Sequence, residues 1–511
     1  VTVALPPDLR RLRDRIRGYA EEYGLDFNET FFELMEHDTL NEVAAYGGFP
    51  TRYPHWRFGM QYEQLRKSYA YGLQKIYELV INNDPCTAYL MRSNSLTDQK
   101  IVMAHVYGHA DFFKNSLWFA PTNAKMVDQM ANHGTRIRRY ADKYGQEKVE
   151  RFLDDALSLE NLVDIYEAYR PREKRPQASA SSDADALDEQ ERRLGEKIPR
   201  LHAAADYMDR YLNPPEEMER ERRRLEKALE RQRKFPSSPR RDVLEFLQEH
   251  APLSSWQRDV LGIVRTEALY FAPQAMTKVM NEGWATFWHS TILTEKALED
   301  DELLDYADAH AATLATQPGR LNPYKLGLEL WRDIEDRWDR GRFGPEYSRC
   351  EDFAKRQAWD TRAGLGRRKI FEVRRAYNDV TFIDEFLTED FVREKRMFVF
   401  KRGADEEMVI STREFRQVKS TLLRDLTNLG NPILVVEDAN HGNRGELLLR
   451  HRWDGLDLKV DMARDTLEAL QRIWKRPVRV ATQTEGRGRV LSFDGERHAS
   501  EESREPGEAT G

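Results

Sequence analysis

The chain has 511 residues, 40% of them hydrophobic, 11% aromatic and 33% charged, which suits a globular protein with a heavily charged surface and excludes global disorder. Its 80 basic and 88 acidic side chains leave a net charge of −8, with no field to favour nucleic acid or anionic lipid. Two cysteines exclude a disulfide framework and a cysteine zinc site, and no apolar run reaches the roughly 18 residues of a bilayer span. The expectation is a cytoplasmic protein with no nucleic-acid partner and no membrane insertion, of open oligomeric state. Position 1 is Val, so the true N-terminus is also open.

The predicted architecture is mainly α, a large helical N-terminal body followed by a smaller α+β C-terminal domain. Residues 1–170 read as helical, with apolar residues three and four apart in Asp8–Tyr23 and Tyr62–Ile81. Between them Tyr46–Gly59 carries three glycines, two prolines and five aromatics, which breaks helix and strand yet is too apolar for a solvated linker. It is either a substrate-binding loop using Arg52, His55, Trp56 and Arg57 or an aromatic plug over the core.

Next comes the almost uncharged run Ile101–Ala110, which as a helix should be buried. His105 and His109 lie one turn apart on it, with Cβ atoms about 5–6 Å apart, so both rings can converge on one cation. A divalent metal, zinc first among them, is the partner that suits this spacing.

Residues 171–200 are rich in Ser, Ala, Asp and Glu and read as a mobile insertion. Pro214–Arg233 is a helix of mixed charge, solvated and held by its own ion pairs. Residues 201–379 return to helix and include Pro273–His289, where Pro273 suits a first turn and Glu282 and His289 face one way, about 10.5 Å apart along the axis. His289, His133 and His310 form a candidate second site. From 380 to 495 short β-rich runs alternate with helical patterns at Thr412–Asn428 and Asp461–Lys475, as in a compact α+β domain, and 496–511 read as a disordered tail. Phosphate-binding, dinucleotide-binding and nucleophile-elbow motifs are absent, which disfavours kinase, NTPase, Rossmann and serine-hydrolase chemistry.

The run Asn281-Glu-Gly-Trp-Ala285 resembles the helix that supplies the third zinc ligand of gluzincin aminopeptidases, and by that resemblance Glu282 joins His105 and His109 with a fourth position open. Those peptidases carry a glutamate base directly after the first histidine; here the position is Val106, which cannot take a proton. A base must come from elsewhere, with Asp111 and Glu267 as candidates.

Taken together, Ala45–Gly59, Val80–Cys86, Val102–Asn115, Lys278–His289, Leu321–Gly327 and Asn378–Thr388 resemble the SpoVR (stage V sporulation protein R) family over most of the chain. The resemblance implies a cytosolic protein of a sporulation, spore-cortex or stress pathway, with protein partners in a pathway linked to a serine protein kinase. Two functions stay open: a metal-dependent amidase or peptidase with an atypical base, and a non-enzymatic regulator or scaffold whose metal is structural or absent.

Overall fold

The computed structural model describes residues 3–70, 78–170, 214, 216–220, 223, 234–403 and 407–502. The expected insertion at 171–200 lies outside them. Of the mixed-charge helix, residues 216–220 and 223 are described, all helical, with an Arg223–Glu219 ion pair one turn apart. Among the described residues no helix is long and apolar enough to cross a membrane. The chain forms two compact units, Val1–Phe152 with Thr266–Asn431 and Leu153–Arg265 with Pro432–Gly511.

The first unit is mostly helical, as its pattern predicts. Pro7–Glu22 starts with proline in its first turn and buries Leu12, Ile16 and Ala20, a stripe four residues apart. A four-stranded sheet that the sequence reading did not foresee lies beside the helices, in the order β1 (Val3–Ala4), β2 (Thr30–Met35), β4 (Cys86–Met91), β3 (Glu78–Ile81). Strands β2 and β4 are parallel and β3 is antiparallel to β4. The expected helix Tyr62–Ile81 is therefore corrected: the helix is Trp56–Ala70, and Glu78–Ile81 pairs with β4. Short apolar runs do not distinguish buried strand from helix, and pairing decides between them.

The core of this unit is built on three helices. Leu96–Asn115 begins at a capping box of Ser95 and Asp98 and is buried along most of its length. Lys278–Ile292 packs against it, and Pro323–Asp339, capped by Asn322, packs on the other side. Pro273 does not open the middle helix as expected; it lies in the last turn of Ser255–Met276, and the chain breaks at Thr277 before the next helix starts. Thr277 offers no side-chain cap. Instead the buried Asp379 carboxylate accepts from Val279 N at 2.8 Å and Met280 N at 2.9 Å, capping the helix from a distant segment.

Small residues let these helices approach closely. A Cβ on Gly108 would lie 2.7 Å from Ala285 Cα, and one on Gly327 would lie 2.1 Å from the carbonyl oxygen of Val279 and 2.7 Å from Gly283 Cα. Trp284, Trp288, Trp331 and Phe382 fill the space around these contacts. The tryptophan-rich stretches are core.

The expected α+β domain at 380–495 is divided between the units at Asn431. Strands β5 (Val399–Arg402) and β6 (Met408–Thr412) form a hairpin in the first unit, with the helix Phe415–Leu426. In the second unit β7 (Leu434–His441) and β8 (Glu446–His451) pair antiparallel; the helix Val460–Trp474 then returns the chain to β9 (Val478–Thr484), parallel to β8. Positive φ at Glu485 and Gly486 makes the tight turn into β10 (Arg487–Phe493), and β11 (His498–Glu502) closes the sheet order β11-β10-β9-β8-β7. The expectation of a disordered tail from 496 is corrected for 498–502, which pair with β10 while His498 stacks on Phe493. Residues 503–511 lie outside the described set.

Two glycine substitutions test the close helix contact. Gly59 lies in Trp56–Ala70 with open space around it, so Gly59→Ala should stabilise by up to about 1 kcal/mol. Gly108→Ala should destabilise by about 1–3 kcal/mol despite the same helical gain, because its methyl group enters Ala285. Urea midpoints measure both; equal shifts for the two variants would mean that the helices are not in contact at Gly108.

Candidate metal centre

The two central helices run in opposite directions, so residues later on Leu96–Asn115 meet earlier ones on Lys278–Ile292. His105 meets His289, Gly108 meets Ala285, and His109 meets Asn281. Between the histidines stands Glu282. Its Oε2 lies 3.5 Å from Nε2 of His105 and 3.5 Å from Nε2 of His109, and one donor atom from each residue falls within 4.8 Å of the other two. Among the described residues this is the one group of three or more His, Cys, Asp or Glu side chains placed to hold a metal ion.

The outer atoms are held as well. Nδ1 of His109 is 3.0 Å from Asn281 Oδ1, which can only accept; the ring proton therefore sits on Nδ1 when Nε2 is free to bind. The Lys278 ammonium donates to Glu282 Oε1 at 2.6 Å, while the buried Oε2 makes no close hydrogen bond and faces the two Nε2 atoms at 3.5 Å. A buried carboxylate oxygen is costly unless a positive group completes it, and at this position that group is either a protonated imidazole or a metal ion.

Electrostatics follow from burial and these neighbours. Burial pushes the Glu282 carboxyl up, but His105, His109 and Lys278 hold it well below the usual range. Burial and the neighbouring His109 push His105 down to about 4. Burial also depresses His109, but Glu282 outweighs it and raises the net value. The donors thus arrive as one carboxylate, one neutral ring and one ring that shares a proton with the carboxylate.

Two residues that the sequence reading missed face this site. Glu78, half-buried at the start of β3, interacts electrostatically with His109 and Glu282, and burial pushes its carboxyl up to about 7. Tyr324 stacks on His105 with ring centroids 6.1 Å apart, and burial first, then the Glu282 and Glu78 charges, hold its hydroxyl proton far above the ordinary range. Tyr324 lies in a run the family resemblance singles out. Glu78 was hidden in a segment expected to be helical.

The other expected site residues go elsewhere. Asp111 is on the far side of the histidine helix, where its carboxylate accepts from Trp284 Nε1 and Asp26 N, both at 2.8 Å, with Arg374 at 3.4 Å. Glu267 binds Arg52 at 2.5 Å, Tyr53 at 3.2 Å and His133 Nδ1 at 2.9 Å. Neither expected base is brought to the three donors, because each is tied to its own buried partners. His133 belongs to the Glu267 network, so the expected grouping of His133 with His289 and His310 is corrected to a contact between the last two, at 3.4 Å. The expected loop Tyr46–Gly59 is corrected at its end, since Trp56–Gly59 open the helix Trp56–Ala70; Arg52 and His55 turn inward just before it, and Arg52 also lies over the Phe58 ring. Trp56 is 53% exposed.

A family model described as SpoVR like protein matches residues 5–431, which include every residue of this site. The chain belongs to the SpoVR family. It is also similar to a protein of Escherichia coli (strain K12) described as uncharacterized protein YcgB, 31% identical over 499 residues that cover 91% of this chain and 90% of that one. No solved structure matches the chain. In this SpoVR-family chain the match ends at the last residue of the first unit, the unit that carries the three donors.

The raised carboxyls set a pH dependence. Glu78 and Asp379 titrate near 7 in the folded chain, both pushed up by burial, against about 4 unfolded. The folded state binds their protons more tightly, so the stability they contribute is complete below about pH 4 and lost as pH rises through about 7. His109, also raised, acts in the same direction. His105, His289 and His310, all lowered chiefly by burial, act in the opposite direction over the same window. The test is therefore a difference between chains: from about pH 6.5 to about pH 8 metal-free Glu78→Gln should lose less melting temperature, or gain more, than the metal-free wild-type chain. Thermal melts across this window check it; an unchanged slope in the variant would place Glu78 in an ordinary solvated setting.

Proposed function

We propose that this chain is a metal-dependent hydrolase of amide or peptide bonds, with His105, His109 and Glu282 holding a divalent cation of the zinc type. The observation that carries the reading is the convergence of the buried Glu282 Oε2 and two Nε2 atoms, 3.5 Å from it, whose rings are supported from behind by His289 and Asn281. Two imidazoles and one carboxylate suit zinc, and three protein donors leave room for a reacting group. When bound, such a cation supplies Lewis acidity toward a carbonyl oxygen and lowers the pKa of water.

The chain's own residues would do the rest. Glu78, with its carboxyl near 7, is suited to take a proton from water and return it to a leaving nitrogen, the role that Val106 cannot fill. Tyr324 keeps its proton at all ordinary pH and so serves as a neutral donor where charge builds on a carbonyl oxygen. Lys278 and Asn281 hold Glu282 and His109 in place. The setting we propose is the cytosol, in a sporulation-type pathway of the kind the family name points to, with a cell-wall-related or peptide substrate.

Protein purified without a polyhistidine tag should contain about one equivalent of metal by elemental analysis, and His105→Ala with His109→Ala should lose it. Against a panel of peptides and peptidoglycan fragments, Glu78→Gln should lower kcat by about 100-fold or more with metal content unchanged. Metal without turnover of any amide would favour a regulator with a structural ion. A metal-free wild-type protein would remove the hydrolase reading.

A further inference from the structure

Two turns beyond Glu282 on the same helix, His289 reaches the opposite edge of the His105 ring: the two Nδ1 atoms are 3.0 Å apart, and His289 is only 3% exposed. About 10.5 Å of helix therefore separates the residue that faces His105 Nε2 from the one that faces its Nδ1. On its other edge, His289 Nε2 is 3.4 Å from Nδ1 of His310, which is half-buried and stacked on Tyr306 with ring centroids 5.4 Å apart.

We propose that His289 is a positioning residue for the metal centre, accepting the Nδ1 proton of His105 and itself oriented by His310. The inference rests on the metal reading above and adds an outer shell to it. A neutral imidazole has one N–H and one lone pair. If His105 binds a cation through Nε2, its proton sits on Nδ1, and the atom facing that proton is Nδ1 of His289. His289 must then present its lone pair there and carry its own proton on Nε2, which points at Nδ1 of His310. One coordination bond thus fixes the tautomers of three rings.

The two ligands are supported differently. His109 leans on an amide oxygen that can only accept, whereas His105 leans on a ring that accepts only in the right tautomer. His310 supplies that choice. This accounts for the His289–His310 pair without a second ion.

The test is zinc affinity, measured by competition with a chromophoric chelator, for the wild-type chain, His289→Phe, His289→Asn and His310→Ala. His289→Phe fills the same space without an acceptor and should weaken binding by about 10–100-fold. His289→Asn places an amide oxygen near the former Nδ1 and should recover most of that loss, which a merely space-filling role would not allow. His310→Ala, at the half-buried end, should weaken binding by about threefold or more, and it serves as the deciding variant if circular dichroism shows His289→Phe unfolded. Wild-type affinity in both His289→Phe and His310→Ala, or in His310→Ala alone where His289→Phe is unfolded, overturns the inference and leaves the metal reading intact. A wild-type chain that takes up no zinc overturns both.

Discussion

Everything at the centre of the first unit depends on how closely the helix Lys278–Ile292 is held by its two neighbours. Ordinary helix pairs pack with axes about 8–10 Å apart, and the small residues in these contacts favour the short end of that range. Side chains as short as those of His and Glu bridge such a gap directly. Gly108 against Ala285 and Gly283 against Gly327 therefore act on the donors without touching them. A methyl group at Gly108 would push apart the two helices that carry the donors, whereas the Gly283–Gly327 contact sets the place of the helix that carries Tyr324.

The same closeness creates an electrostatic problem, because it takes polar groups out of water. The fold answers it locally. Asp111 closes the back of the helix pair by joining Trp284 to Arg374, Asp379 supplies the acceptor that Thr277 does not, and Lys278 balances the outer oxygen of Glu282. These buried carboxylates each have a counter-charge or a hydrogen-bond donor, and the second oxygen of Glu282 has the two imidazoles at 3.5 Å.

What the sequence made legible follows from physical range. His105 and His109 could be read together because a helix turn fixes their separation whatever the rest of the chain does. The run Asn281–Ala285 was readable as a motif, and the helical majority and the C-terminal strands from their periodicity. Glu78 was not readable: it opens a strand of four residues, too short for periodicity to separate from the helical pattern before it, and only pairing with Cys86–Met91 defines it. Asp111 and Glu267 looked available as bases because a sequence shows that a carboxylate exists and not who its partners are. The turn at Glu485-Gly486 had a signal, a glycine suited to positive φ, and β10 with it could have been read before the tail was taken as frayed.

The segments that build this centre are far apart in the order of synthesis. The His105–His289 contact spans 184 residues, and the stretch between includes a whole portion of the chain that belongs to the other unit. A ribosome that has released only the first unit's opening segment has made a helix with two imidazoles and an aspartate, together with Asp26 and Glu78 but without Asn281, Glu282, Trp284, His289 or Arg374, and closing so long a loop is slow. The N-terminal portion expressed by itself would be a poor folding unit. His105, His109 and Glu282 therefore cannot meet until translation has passed the helix Lys278–Ile292, which makes their convergence a late event in the life of the nascent protein.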